Sequence, residues 1–108
     1  MRMMMKVNIP TDTGNAATRS GALGSTIQKI LADLKPEAAY FLEDNGQRTG
    51  LIFFDLAEAS QIPAIAEPWF LAFNASLTIR PAMNSADLAA AGPSIERAAK
   101  AYSKSAGA

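Results

Sequence analysis

From Met3 to Ile9 the chain alternates, with Met5, Val7 and Ile9 on one side and Met4, Lys6 and Asn8 on the other. That period of two belongs to a β-strand, and Pro10 ends it because proline cannot donate to a ladder. The next regular stretch has helical spacing. Leu23, Ile27, Ile30, Leu31 and Leu34 form one apolar stripe, which predicts a helix from about Gly24 to Leu34, closed by Pro36. Upstream of it, Asp12 or Thr13 is placed to cap a helical turn over residues 15–20.

The segment YFLEDNGQRTGLIFFDL, residues 40–56, reads as a β-hairpin. Asn45-Gly46 suits a type I′ turn, whose two central residues need positive φ. That turn pairs Tyr40 with Leu51, Phe41 with Gly50, Leu42 with Thr49, Glu43 with Arg48 and Asp44 with Gln47. Glu43 and Arg48 are then expected as a cross-strand ion pair at a solvated tip. Beyond the hairpin, Ser60 is placed to cap a second helix, and Pro63 is tolerated in its first turn. Ile62, Ile65, Ala66, Trp69, Phe70 and Phe73 share its apolar face, while Pro68 is expected to kink it. Asn74 breaks into a fourth strand, Ala75 to Arg80. A helical extension follows from Ser85 to about residue 103, interrupted at Gly92-Pro93, with Ile95, Ala99 and Tyr102 as its apolar side. Residues 103–108 are expected to fray.

The order β-α-β-β-α-β predicts an α+β ferredoxin-like sandwich. Two crossover helices lie on one side of a four-stranded antiparallel sheet, with a core over about residues 3–83 and a C-terminal helical tail. At 108 residues the chain makes a single domain. Its 49% hydrophobic and 19% charged content is that of a folded chain.

The hairpin register divides the sheet into two faces, both apolar. Ala39, Phe41, Gly50, Ile52, Phe54 and Leu56 go to the helices. Tyr40, Leu42, Thr49, Leu51, Phe53 and Asp55 are left on the other side. Burying Leu42, Leu51 and Phe53 is worth roughly 5–9 kcal/mol, comparable with the stability of a small domain, so something is expected to cover them. The C-terminal helix, nucleic-acid bases or a second copy of the sheet are the choices. Ten basic residues balance ten acidic ones, so there is no basic field for nucleic acid. The run from Arg48 to Phe54 fits the aromatic strand of an RNA-recognition domain only loosely. A second copy is the expected partner, through Tyr40, Leu42, Leu51 and Phe53.

On these features the sequence resembles the dimeric α/β-barrel superfamily, whose ferredoxin-like protomers pair sheet to sheet. PEAAYFLEDNGQRTG and AEPWFLAFNASLTIRPAMN resemble uncharacterised small bacterial members in particular. The superfamily includes cofactor-free monooxygenases, muconolactone isomerases and YCII-related proteins. The resemblance therefore implies a homodimer binding a small aromatic or anionic molecule, without a cofactor. Members that depend on histidine are no guide here, because the chain has no His.

Cysteine is absent too, which removes disulfides, thiolate nucleophiles and Cys/His zinc sites. No metal site is expected. No stretch is long and apolar enough to cross a membrane, and a cytoplasmic location is the default expectation. Strand phase then assigns the candidate ligand-binding residues. Tyr40 and Asp55 come from the hairpin, Asn8 and Lys6 from the first strand, and Thr78 and Arg80 from the fourth. This polar set stands around an apolar floor. Trp69 is added beside the turn loosened by Pro68. If the protein is an enzyme, Arg80 would hold an anionic group while Tyr40 or Asp55 moves protons. The same groups have structural readings. Arg80 can pair with Asp55 or Glu67, Tyr40 can be an interface ring, Asp55 can cap a turn, and the whole can be a non-catalytic oligomerisation module.

Overall fold

A computed structural model describes residues 1–104. Along the chain run β1 (Arg2–Ile9), α1 (Thr11–Arg19), α2 (Ala22–Leu34), β2 (Ala38–Asp44) and β3 (Gln47–Asp55). A single 3₁₀ turn (Ala59–Gln61), α3 (Ile62–Phe73), β4 (Ser76–Pro81), α4 (Ser85–Ala90) and α5 (Gly92–Tyr102) complete it. The four strands form one antiparallel sheet in the order β2-β3-β1-β4, the ferredoxin-like arrangement.

The hairpin has the register that its turn dictates. Asn45 and Gly46 take φ of 51° and 77°, and Tyr40 lies opposite Leu51, Phe41 opposite Gly50 and Glu43 opposite Arg48. β1 continues the rows, with Met3, Met5 and Val7 opposite Phe54, Ile52 and Gly50, and β4 adds Ile79 and Leu77 opposite Met5 and Val7. One face therefore collects Met5, Val7, Ile52 and Phe54 at 0–2% exposure, sealed by Trp69 at 1% and Phe73 at 2%. The two rings contact each other in a tilted arrangement with centroids 6.2 Å apart. Leu23, Ile27, Ile30 and Leu31 of α2 and Ile62 and Ile65 of α3 pack onto this core, as an amphipathic stripe must.

Several local expectations are corrected. α1 begins at Thr11 directly after Pro10, with no side-chain cap, so neither Asp12 nor Thr13 closes its start. The cap ahead of α3 is a reciprocal box between Glu58 and Gln61, and Ser60 sits inside the 3₁₀ turn. Pro63 does fall in the first turn of α3, and Pro68 lies inside the helix, which runs to Phe73. Asn74 then ends it in the left-handed region, at φ 51°.

The C-terminal extension does not fold across the open face. Asn84 and Asp87 form a capping box at the start of α4, and only Ala91 separates α4 from α5. These helices pack on each other and make no extensive contact with the other described elements. Leu88, Ile95 and Tyr102 are left 52%, 56% and 86% exposed. An arm of this helical length spans about 27 Å at the usual rise, which explains overall extents of 64 × 30 × 21 Å. From residue 105 on, the expected fraying lies outside the described residues.

Candidate functional site

The residues that strand phase assigned to the open face do lie there, in rows across the strands. Tyr40, Leu51, Lys6 and Thr78 form one row, and Phe53, Met4 and Arg80 another. Tyr40 and Leu42 are 62% and 44% exposed, while Leu51 and Phe53 are half-buried. One end of this face is a polar cluster. Asn8 Nδ2 donates to Thr49 Oγ1 at 3.0 Å and to Asp44 Oδ2 at 3.2 Å. Lys6 Nζ meets the same Asp44 oxygen at 2.6 Å. The hydrogen bonds from Lys6 and then Asn8 hold the Asp44 carboxyl below its ordinary pKa.

Asp55 stands apart, at the end of β3, where it pairs with the N-terminal ammonium at 2.8 Å. It does not pair with Arg80, which has no ion-pair partner among the described residues. The open face therefore brings Asn8, Tyr40, Thr78 and Arg80 onto one surface but leaves Asp55 at its margin. Trp69 lies on the opposite side of the sheet, in the core. No group of three or more acidic, His or Cys side chains able to hold a metal ion exists among the described residues. No described helix is long and apolar enough to cross a membrane.

A hollow lies on the helix side. A cleft of about 700 Å³ opens between α1–α2 and the hairpin, with Val7 and Gly50 at its floor and Leu23, Ile27 and Phe41 on its walls. It exists because the helices stop short of the outer strand. Phe41 and Ile52 share a face, yet Phe41 is 55% exposed and Ile52 is fully buried. Gly50 makes room for the Phe41 ring, since a Cβ there would lie 3.3 Å from Phe41 Cε1.

Two polar groups give this cleft chemical character. Arg48 lines it but does not pair with Glu43 as the register led us to expect. Glu43 turns its Oε2 to the Gly46 amide at 3.1 Å, closing the hairpin turn. Arg48 instead lies over α1, where Nη1 donates to Asn15 Oδ1 at 3.0 Å. Gly14 permits this, because a Cβ at that position would come within 2.8 Å of Nη1. A guanidinium has five donors, and most of them are left for something else. The second group is the indole of Trp69, which lines the cleft and whose buried Nε1–H has no hydrogen-bond partner among the described residues. An unsatisfied buried donor costs about 1–3 kcal/mol, so a native structure that keeps one calls for a reason.

Of the ligand-binding residues picked from sequence, only Trp69 lines this cleft, and Leu42, expected at the interface, lines it too. Arg48 was missed as a site residue because it was assigned to the hairpin tip. Its phase carried the signal, since it shares parity with Gly50, Ile52 and Phe54 and so had to face the helices.

No protein-family model matches the chain. No curated protein matches it either. Among solved structures, it is similar to a formyltetrahydrofolate deformylase from Pseudomonas putida, at 14% identity and a TM-score of 0.47. That match covers 76% of this chain and 29% of the deformylase.

Proposed function

We propose that the chain is a small-molecule-binding protein of the dimeric α/β-barrel type, with its ligand in the cleft between α1–α2 and the hairpin. The observation that carries this reading is the cleft itself. It is apolar and aromatic, of ligand size, and has a few convergent polar groups, which is the usual composition of a binding site. The open sheet face is the surface through which two copies would pair, and it is on the far side of the sheet. Pairing there would cover Tyr40, Leu51 and Phe53, while Leu42 borders both that face and the cleft. Binding is better supported than proton transfer. Of the side chains lining the cleft only Glu43 and Arg48 ionise, and the Glu43 carboxylate is engaged in the turn.

The sequence contains one tryptophan, so Trp69 emission reports on the cleft without labelling. Titration with small neutral aromatic alcohols should give a saturable change in that emission. The change should be lost in Gly24→Phe, which fills the mouth at a position with no atom within 4 Å of a new Cβ. An emission that never saturates, or that ignores the filled mouth, removes the basis of the reading. Light scattering at micromolar concentration tests the pairing separately, and a monomer there would sink it.

A further inference from the structure

We propose that the cleft selects a carboxylic acid, with Arg48 as the residue that recognises the carboxylate and the apolar walls holding an aromatic or aliphatic body. The proposal rests on the cleft being the ligand site. What it adds is the chemical class of the ligand and the residue that selects it.

Arg48 is half-buried, so its charge is partly withdrawn from water, yet no carboxylate lies within ion-pair distance among the described residues. Among the described residues its side-chain hydrogen bond goes to a neutral amide oxygen, that of Asn15, and this fixes the guanidinium without neutralising it. The missing Cβ at Gly14 serves the same placement, since any larger residue would push the group off α1. An arginine held by a neutral partner beside an apolar hollow is prepared for a planar anion, which it can grip with two parallel N–H donors.

Trp69, 1% exposed, also lines the cleft, and its buried Nε1–H has no acceptor among the described residues. Arg48 and the apolar lining together describe an acid with an apolar body. A neutral apolar molecule would leave Arg48 unanswered, and a polyanion such as a nucleotide phosphate would meet one cation only.

The test uses the full chain, with benzoylpropionate and its primary amide as probes of equal shape and different charge, followed by Trp69 emission. Wild type should bind the acid about tenfold more tightly than the amide, the usual margin for a charge-assisted hydrogen bond. Arg48→Gln should bind both alike while keeping the same thermal unfolding midpoint. Arg48→Lys, which keeps the charge but loses the fork, should retain part of the preference, and this arm stands if the glutamine variant fails to fold. Equal binding of acid and amide by wild type overturns the carboxylate assignment and leaves the cleft as a binding site. A preference for the acid that survives in Arg48→Gln also overturns it, since another cation would then be the receptor. Binding of neither probe by wild type removes both this inference and the reading beneath it.

Discussion

Along β1 the helix-side residues Met3, Met5, Val7 and Ile9 are 5%, 0%, 0% and 4% exposed, while Met4, Lys6 and Asn8 between them stay half-buried. The same strands thus carry one face finished within the chain and one left open. The finished face is a close-packed core with a cleft beside Phe41. The open face is graded, from a hydrogen-bonded cluster of Lys6, Asn8, Asp44 and Thr49 at one end to Tyr40, Leu51 and Phe53 beside it. Apolar character alone does not distinguish the two faces. What distinguishes them is whether the chain supplies the atoms that should lie opposite.

Adjacent phenylalanines test that difference directly. Phe54 is 2% exposed in the core, and Phe54→Ala should cost about 3–5 kcal/mol, the usual loss for a buried aromatic. Because its partners belong to the same chain, the loss should not depend on protein concentration. Phe53 lies on the open face, half-buried. If a second copy completes that face, the loss in Phe53→Ala should change with concentration, as linkage to association requires. Urea denaturation at two concentrations distinguishes them. Equal, concentration-independent losses would erase the contrast between the faces.

The glycines sharpen the comparison within the finished face. Gly50→Ala brings a methyl to 3.3 Å from Phe41 Cε1, and Phe41 borders the cleft, so the ring can swing outward. The expected cost is below about 1 kcal/mol, because ring movement relieves the crowding and alanine loses less backbone entropy than glycine. Gly14→Ala meets Arg48 Nη1 at 2.8 Å, the far end of a flexible side chain. Its helix-propensity gain of up to about 1 kcal/mol should offset the displaced Asn15 hydrogen bond. Thermal unfolding should therefore find both variants close to wild type. Gly14→Ala should nevertheless weaken any preference for a carboxylate, by moving Arg48. A large loss of stability in either would mean that the cleft wall is as rigid as the core.

Much of the fold could be read from the chain because it depends on local rules. The Asn45-Gly46 turn set the hairpin register, and that register with period-two phase sorted both faces correctly, down to Lys6, Asn8, Thr78 and Arg80. The site was harder to read. Alternation gives the side of a residue but not how far a helix reaches across the sheet, so Phe41 and Ile52 look equivalent in sequence and differ completely in burial. Ion-pair choice failed for a related reason. Glu43 and Arg48 are opposite each other in register, but a backbone amide at Gly46 and the groove above Gly14 offered each a better-placed partner. The C-terminal arm was legible as helix and not as an arm, since nothing in the stripe of Ile95, Ala99 and Tyr102 says which surface receives it.

The smallest expected effect concerns the polar end of the open face. Asp44 has its carboxyl held below the ordinary value by hydrogen bonds from Lys6 and Asn8. A depressed folded pKa means that the unfolded chain binds the proton first. The contribution is therefore present in full above the unfolded value, about 3.9, and is lost as pH falls through the lower folded value. Urea midpoints of wild type and Asp44→Asn should differ modestly at neutral pH, because the group is solvated and its ion pair is screened. They should converge as pH falls through the lowered folded value, below which both chains carry a neutral group at this position. Convergence would assign the cluster to electrostatic support of the open face. A difference that persists unchanged into strong acid would show instead that residue 44 acts through its shape and amide geometry, and that the polar end is held together much as the apolar core is.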